Sequence, residues 1–231
     1  MKVEYINVDK FLLIYTIGGG ALNTYYCKRT NEAIAIDGDI SKPAWENMES
    51  VSLVDTVTGD LPKQRTMCKM MWDDNFLYVS FLCEDDSINA VMTNFNDLIY
   101  NEEVVEIFID DNCDLKTYIE LEVNPMNTLL HYSMHNDLKG NKIAFARIEQ
   151  KIITAVQDNR EERTWSVEMA IPFSEFITAP NIPPMVGDKW LMNLYRIDRP
   201  TDSKDEYTAW NPTVKINFHM PEKFGTLVFV E

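Results

Sequence analysis

The sequence predicts an all-β fold built as an antiparallel β-sandwich, and three observations predict it. Apolar residues alternate with period two in segment after segment along the chain. No long segment carries apolar residues at the i, i+3, i+4 and i+7 positions of a helical face. Short alternating runs are separated by turn residues and often keep one polar face, the pattern of two antiparallel sheets packed face to face. A parallel α/β arrangement is disfavoured because the crossover helices it needs are missing.

Taken in order, residues 11–22 (FLLIYTIGGGAL) have the length of a signal-peptide core. Their leader contains Glu4 and Asp9, however, and no clear small-residue cleavage site follows. The run is also too short to span a bilayer, so residues 1–22 are expected to pack on the domain formed by 23–231 as an added strand or segment. Residues 65–72, the turn 73–75 and residues 76–83 form a hairpin with Leu77, Val79 and Phe81 on one face. A two-residue turn near Asp74 sets Cys68 opposite about Phe81 rather than Cys83, which disfavours a disulfide between the two cysteines. Cys27, Cys68, Cys83 and Cys113 have no CxxC spacing and are expected to serve as small apolar residues. A strand over 104–110 follows. In YIELEVN (118–124) Ile119, Leu121 and Val123 alternate with Tyr118, Glu120 and Glu122, and that second face must meet solvent, a ligand or a partner. WSVEMAIPF (165–173) is a strand that Pro172 ends, and one helical turn over 174–177 precedes the loop APNIPP. Residues 189–197 and 225–230 supply two late strands.

At 231 residues with 45% apolar content, the chain suits a single domain with one sizeable core. Its 37 acids against 21 bases give a net charge of −16, which repels nucleic-acid phosphates and anionic lipid and favours neutral or cationic partners. No nucleic-acid partner and no membrane insertion are expected. Nor is an enzyme expected: there is no GxSxG, HExxH or Walker loop, and some pair of carboxylates would meet a glycosidase spacing by chance among so many acids. His131 and His135 would share a metal only on a helix, and their segment reads as a strand or loop.

Six separated blocks, IAIDGDISKPAW (34–45), WDDNFLYVSF (72–81), EEVVEIFIDDN (102–112), WSVEMAIPF (165–173), GDKWLMNLYR (187–196) and FHMPEKFGTLVF (218–229), together resemble the family 9 carbohydrate-binding modules and their stand-alone relatives. The resemblance runs in order from about Tyr25 to the C-terminus. It implies an immunoglobulin-like or jelly-roll sandwich that holds a mono- or oligosaccharide between two aromatic side chains. It also implies an extracytoplasmic setting, in the periplasm or at the cell surface, although the compartment stays open. The matching aromatic positions are Tyr100 and Phe218, both smaller than the tryptophans usual there. The in-strand acid of the motif corresponds to Glu106, a carboxylate able to accept two hydroxyl hydrogen bonds. Where sugar-binding members carry an arginine, this chain has Glu122, and the lost guanidinium fork changes what the site can grip.

Alternation sets Glu106 on a face with Val104 and Phe108, as either a ligand contact or a structural carboxylate satisfied by a partner. Asn193 and Arg196 fall on opposite sides of their strand, so at most one reaches a ligand, and Arg196 is the better donor. Trp45 is expected in the core, whereas Trp210 is retained as a site candidate. Asp110, Asn112 and Asp114 open like a calcium loop, but Leu115 and Leu121 replace its glycine and closing glutamate, which excludes an EF-hand. No cofactor is required, and a looser structural calcium on those three residues is the alternative to a plain solvated turn. The expected function is non-catalytic carbohydrate binding. A structural or interaction domain with a decayed pocket is the principal alternative, ahead of a glycosidase-associated enzyme.

Overall fold

A computed structural model describes residues 21–201 and 203–231. The expected packing of residues 1–22 thus lies outside the described residues, save Ala21 and Leu22. Fourteen strands follow in chain order: β1 (Thr24–Arg29), β2 (Val51–Ser52), β3 (Val54–Asp55), β4 (Thr66–Trp72), β5 (Phe76–Glu84), β6 (Val104–Asp110), β7 (Thr117–Val123), β8 (Leu129–Asn136), β9 (Lys142–Ala146), β10 (Ile153–Asn159), β11 (Thr164–Pro172), β12 (Lys189–Asp198), β13 (Glu206–Ala209) and β14 (Gly225–Val230). Among the described residues helix is confined to Pro43–Glu46 and three single 3-10 turns, one of them at Phe173–Glu175 just after the strand-ending Pro172. No helix among the described residues is long and apolar enough to cross a membrane.

Eleven of the strands form one continuous ladder in the order β10-β11-β5-β4-β1-β14-β12-β6-β7-β8-β9, which is not closed, while β2 pairs with β4 and β13 pairs with β12 and β3. Its two halves pack on each other because each has one apolar face. Met70 and Trp72 of β4, Leu77, Val79 and Phe81 of β5 and Val167 and Met169 of β11 share a single buried cluster with Val105, Ile107 and Ile109 of β6, Leu121 of β7 and Met192 and Leu194 of β12. The period-two alternation read from the sequence is the direct cause, since successive side chains point to opposite faces of a sheet. An aromatic seam closes the sandwich where the halves join: Phe229 of β14 meets Trp72 at 5.3 Å and Trp190 at 4.8 Å, both edge to face.

One departure from the antiparallel expectation occurs at this seam. β1 runs parallel to both β14 and β4, because it is joined to each through a long intervening stretch rather than a tight turn. Cys68 pairs with Phe81 in the β4–β5 hairpin, and Cys27, Cys68, Cys83 and Cys113 are all free. Trp45 is fully buried, its indole N–H donating to Glu168 at 2.7 Å. Gly225 opens β14 where the backbone is crowded. A Cβ there would stand 2.5 Å from both the Trp210 ring and Asn211 Nδ2 and 2.6 Å from the carbonyl of Asn23.

Candidate functional site

Strands β6, β7, β8 and β12 present their other face to a second apolar cluster rather than to open solvent. Val104, Phe108, Tyr118, Leu130, Met134, Tyr195 and Ile197 are buried there together with Phe218 and Phe224 from the C-terminal segment. Beside this cluster lies a cavity of about 510 Å³, within the range of about 300–1,000 Å³ typical of small-molecule sites. Tyr100, Tyr132, Tyr207 and Phe218 line it, as do the carboxylates of Glu106, Glu120 and Glu122. Lys142, Arg199, Asn217 and His219 line it as well.

Strand register dictates the acidic grouping. Glu106 of β6 lies directly opposite Glu122 of β7, and Glu120 sits two residues back on the same face, across from Phe108. Each of the three glutamates has one oxygen within 4.8 Å of the others, and all three side chains are buried. Like charges opposed across a ladder repel, and burial removes the water that would screen them. Burial and the neighbouring Glu120 carboxylate push Glu106 well above the ordinary carboxylate range. Burial, then Glu106 and Glu120, does the same to Glu122. Burial also raises Glu120, to about 7, against the opposing pull of Glu122 and Lys142. His219 goes the other way: burial and Lys142 lower it to about 3, so a neutral imidazole faces the cavity, its Nδ1 2.9 Å from the Tyr118 hydroxyl.

These shifts predict a pH-dependent stability. The folded glutamates keep protons that the unfolded chain releases near pH 4.3. Their contribution is therefore full below that pH and is lost as pH rises, by about 1.4 kcal/mol per unit for each retained proton, until the folded value is passed. For Glu120 that window closes at about 7. Glu122→Gln is expected to raise Tm over the parent at about pH 8 by several degrees and to leave it nearly unchanged at about pH 4.5. Thermal unfolding of both proteins at both pH values measures this, and taking the difference between them cancels the contributions of His131 and His219. An equal gain at both pH values would contradict it.

The aromatic geometry is asymmetric. Phe218, 9% exposed, stacks on Tyr195 with ring centroids 4.1 Å apart and planes 10° from parallel. The Tyr195 hydroxyl donates to the Phe218 carbonyl at 3.0 Å, which fixes the ring as a backed platform. Tyr100 lies on the 3-10 turn Ile99–Asn101 and is 37% exposed, its carbonyl accepting a 3.1 Å hydrogen bond from Arg199. Arg199 also donates to the Tyr207 hydroxyl and lies over that ring, tying Tyr207 into the same wall.

Four of the residues expected at the site, Tyr100, Glu106, Glu122 and Phe218, thus line one cavity. Arg196 does not. It pairs with Val105, on the face turned into the sandwich, and its guanidinium meets Asp85 at 3.0 Å, Glu103 at 3.6 Å and Asp198 at 3.8 Å. The alternation of β12 gives the cavity side to Asn193, which is used internally, donating to the Tyr195 hydroxyl and the Asn211 carbonyl. Trp210 is likewise a core residue, packed over Gly225. The Asp110, Asn112 and Asp114 turn gathers its own N–H groups. Asp110 accepts from the amides of Asn112, Asp114 and Leu115, and Asp114 accepts from those of Lys116 and Thr117. The turn's carboxylates are thus engaged by its own amide groups. Among the described residues, clustered carboxylates occur instead at Glu106, Glu120 and Glu122 and around Arg196. Glu120, Tyr132, Arg199 and Tyr207 were not anticipated at the cavity. The YIELEVN alternation already set Glu120 on one face with Glu122, whereas Arg199, just past β12, and Tyr207, on the four-residue β13, belong to stretches too short to carry a periodic signal.

Residues 36–231 match the family described as carbohydrate family 9 binding domain-like. The chain belongs to that family. Among its relatives, Endo-1,4-beta-xylanase A of Thermotoga maritima is 33% identical over 207 residues, covering 85% of this chain. The chain spans only 17% of that protein's length. A carbohydrate-binding module of family 9 from Caldicellulosiruptor kristjanssonii, solved in complex with cellotriose, shares the fold with a TM-score of 0.66 at 20% identity, covering 90% of this chain and 94% of its own. The module from that organism solved with glucose gives 0.64 at 20% identity, covering 90% and 95%. Like these family 9 modules, the present domain is a β-sandwich.

Proposed function

We propose that the domain is a non-catalytic carbohydrate-binding module that holds a mono- or oligosaccharide between Tyr100 and Phe218, with Glu106 and Glu122 accepting hydrogen bonds from its hydroxyls. The observation that carries this reading is the convergence of those four residues, distant in sequence, on one open cavity. A pyranose presents a face of C–H groups that packs on an aromatic ring, while its hydroxyls point outward to polar partners. A ring backed by Tyr195 meets the first requirement without rearrangement. The family membership and the sugar complexes of its structural relatives support the same conclusion.

A binding role also suits the placement of the acids. Glu106, Glu120 and Glu122 project from two adjacent strands on one side of the cavity, whereas a glycosidase sets its two carboxyls on either side of the scissile bond. Calorimetric titration with glucose, cellobiose, cellotriose and xylo-oligosaccharides tests the proposal. Saturable binding to at least one, with no release of reducing sugar on prolonged incubation, is expected. Silence across a panel that also includes hexosamines would overturn it.

A further inference from the structure

Three buried carboxylates meet at the cavity, with Lys142 and Arg199 in its lining but neither in ion-pair contact with them. Glu106 is 2% and Glu122 1% exposed, both line the cavity with Glu120, and Glu106 Oε1, Glu120 Oε2 and Glu122 Oε2 have no hydrogen-bond partner among the described residues. None of the three takes part in a salt bridge among the described residues, where Arg199 is paired with Asp205. In the empty site burial holds protons on these acids, and a ligand that brings its own positive charge and N–H donors can take the place of those protons.

We infer that the cavity selects saccharides carrying a protonated amine, a free hexosamine or an oligomer of such units, with the ammonium group seated among Glu106, Glu120 and Glu122. The inference rests on the sugar-binding reading and narrows its substrate class. An ammonium group has three N–H donors and no acceptor, which matches three acceptor oxygens and nothing else. With N–H···O distances of about 2.8 Å and tetrahedral donor directions, the oxygens around it would be separated by about 4.5 Å. One carboxylate oxygen from each of the three glutamates lies within 4.8 Å of those of the other two. Hydroxyl groups could also bond to these oxygens, but only an ammonium group brings the charge that lets the acids ionise in place.

The surroundings favour an organic cation over a bare metal ion. Calcium would take six to eight oxygens and gain nothing from ring walls. An amino sugar uses both features, laying its C–H face on Phe218 or Tyr100 and its charge near the electron-rich ring faces. The net charge of −16 also draws cationic solutes toward the protein.

The test compares matched ligands by calorimetry in a buffer containing a chelator: glucosamine against glucose and N-acetylglucosamine, and the glucosamine dimer against cellobiose. The expected result is at least about tenfold tighter binding of each free amine than of its neutral counterpart, since one charge-assisted hydrogen bond is worth about 1.5–3 kcal/mol. Glu122→Gln should reduce that ratio several-fold. Equal or weaker binding of the amines overturns the inference and leaves the carbohydrate reading standing. Binding that returns only with added calcium, whether or not the sugar carries an amine, overturns it in favour of a metal site. Failure of every sugar, with and without calcium, removes both.

Discussion

Replacing Arg196 with methionine is expected to cost about 3–5 kcal/mol of folding free energy, the range for removing one partner of a buried ion pair. The side chain is 1% exposed. Its guanidinium donates to Asp85, to the Glu84 carbonyl at 2.6 Å and to Thr66 Oγ1 at 3.3 Å, and lies 5.8 Å from the Trp165 ring centroid. It is the positive charge that Asp85, Glu103 and Asp198 share inside the sandwich. Even with it present, burial together with Asp198 and Asp85 raises Glu103 to about 9. Without it, the acids must take up protons or admit water. A fall in Tm on the order of 10 °C follows for a domain of this size. The affinity of the folded protein for its sugar should stay within about twofold, because Arg196 points away from the cavity. Urea unfolding alongside calorimetry separates the two effects. Loss of binding with unchanged stability would return Arg196 to the site.

The second large effect divides the two rings. Tyr100→Ala is expected to weaken saccharide binding by about 2 kcal/mol or more, roughly thirtyfold, as truncation of an aromatic anchor does. Its cost in stability should be within about 0.5 kcal/mol, since the side chain is partly exposed and its hydroxyl makes no hydrogen bond among the described residues. Phe218→Ala should lose binding too, but with about 3 kcal/mol of stability, because the ring also covers Tyr195 and closes the second apolar cluster. The sequence alone makes these substitutions equivalent, and the stack on Tyr195 makes them unequal. Unchanged affinity in Tyr100→Ala would remove that ring from the site.

What alternation could reveal, the sequence showed. The inward sets of β5, β6, β7 and β11 follow from period two, and so does the grouping of Glu106 with Val104 and Phe108. Alternation also put Asn193 and Arg196 on opposite sides of β12, but it could not say which side was the cavity. Choosing Arg196 for its donor chemistry gave the wrong side, because the deciding fact is its pairing with Val105, a contact between strands far apart in sequence. Trp210 was misplaced for a similar reason: its neighbour Gly225 is distant in the chain. The opposition of Glu106 and Glu122 depends on the register of the β6–β7 hairpin, which is set by an eccentric turn with left-handed residues at Cys113 and Leu115. Nothing in the residue pattern fixes that register.

The parallel pairing of β1 with β14 bears on the route by which the protein acquires its shape. Thr24 meets Thr226 and Lys28 meets Val230, so the seam joining the two layers depends on partners from opposite ends of the described chain. Contacts of such high order are slow to form, since loop closure must precede their reward. On the ribosome, Trp72, Phe173 and Trp190 all emerge before Phe229, the ring that covers them. A nascent chain therefore carries an unroofed aromatic patch until β14 has emerged, the interval in which it is most prone to aggregate.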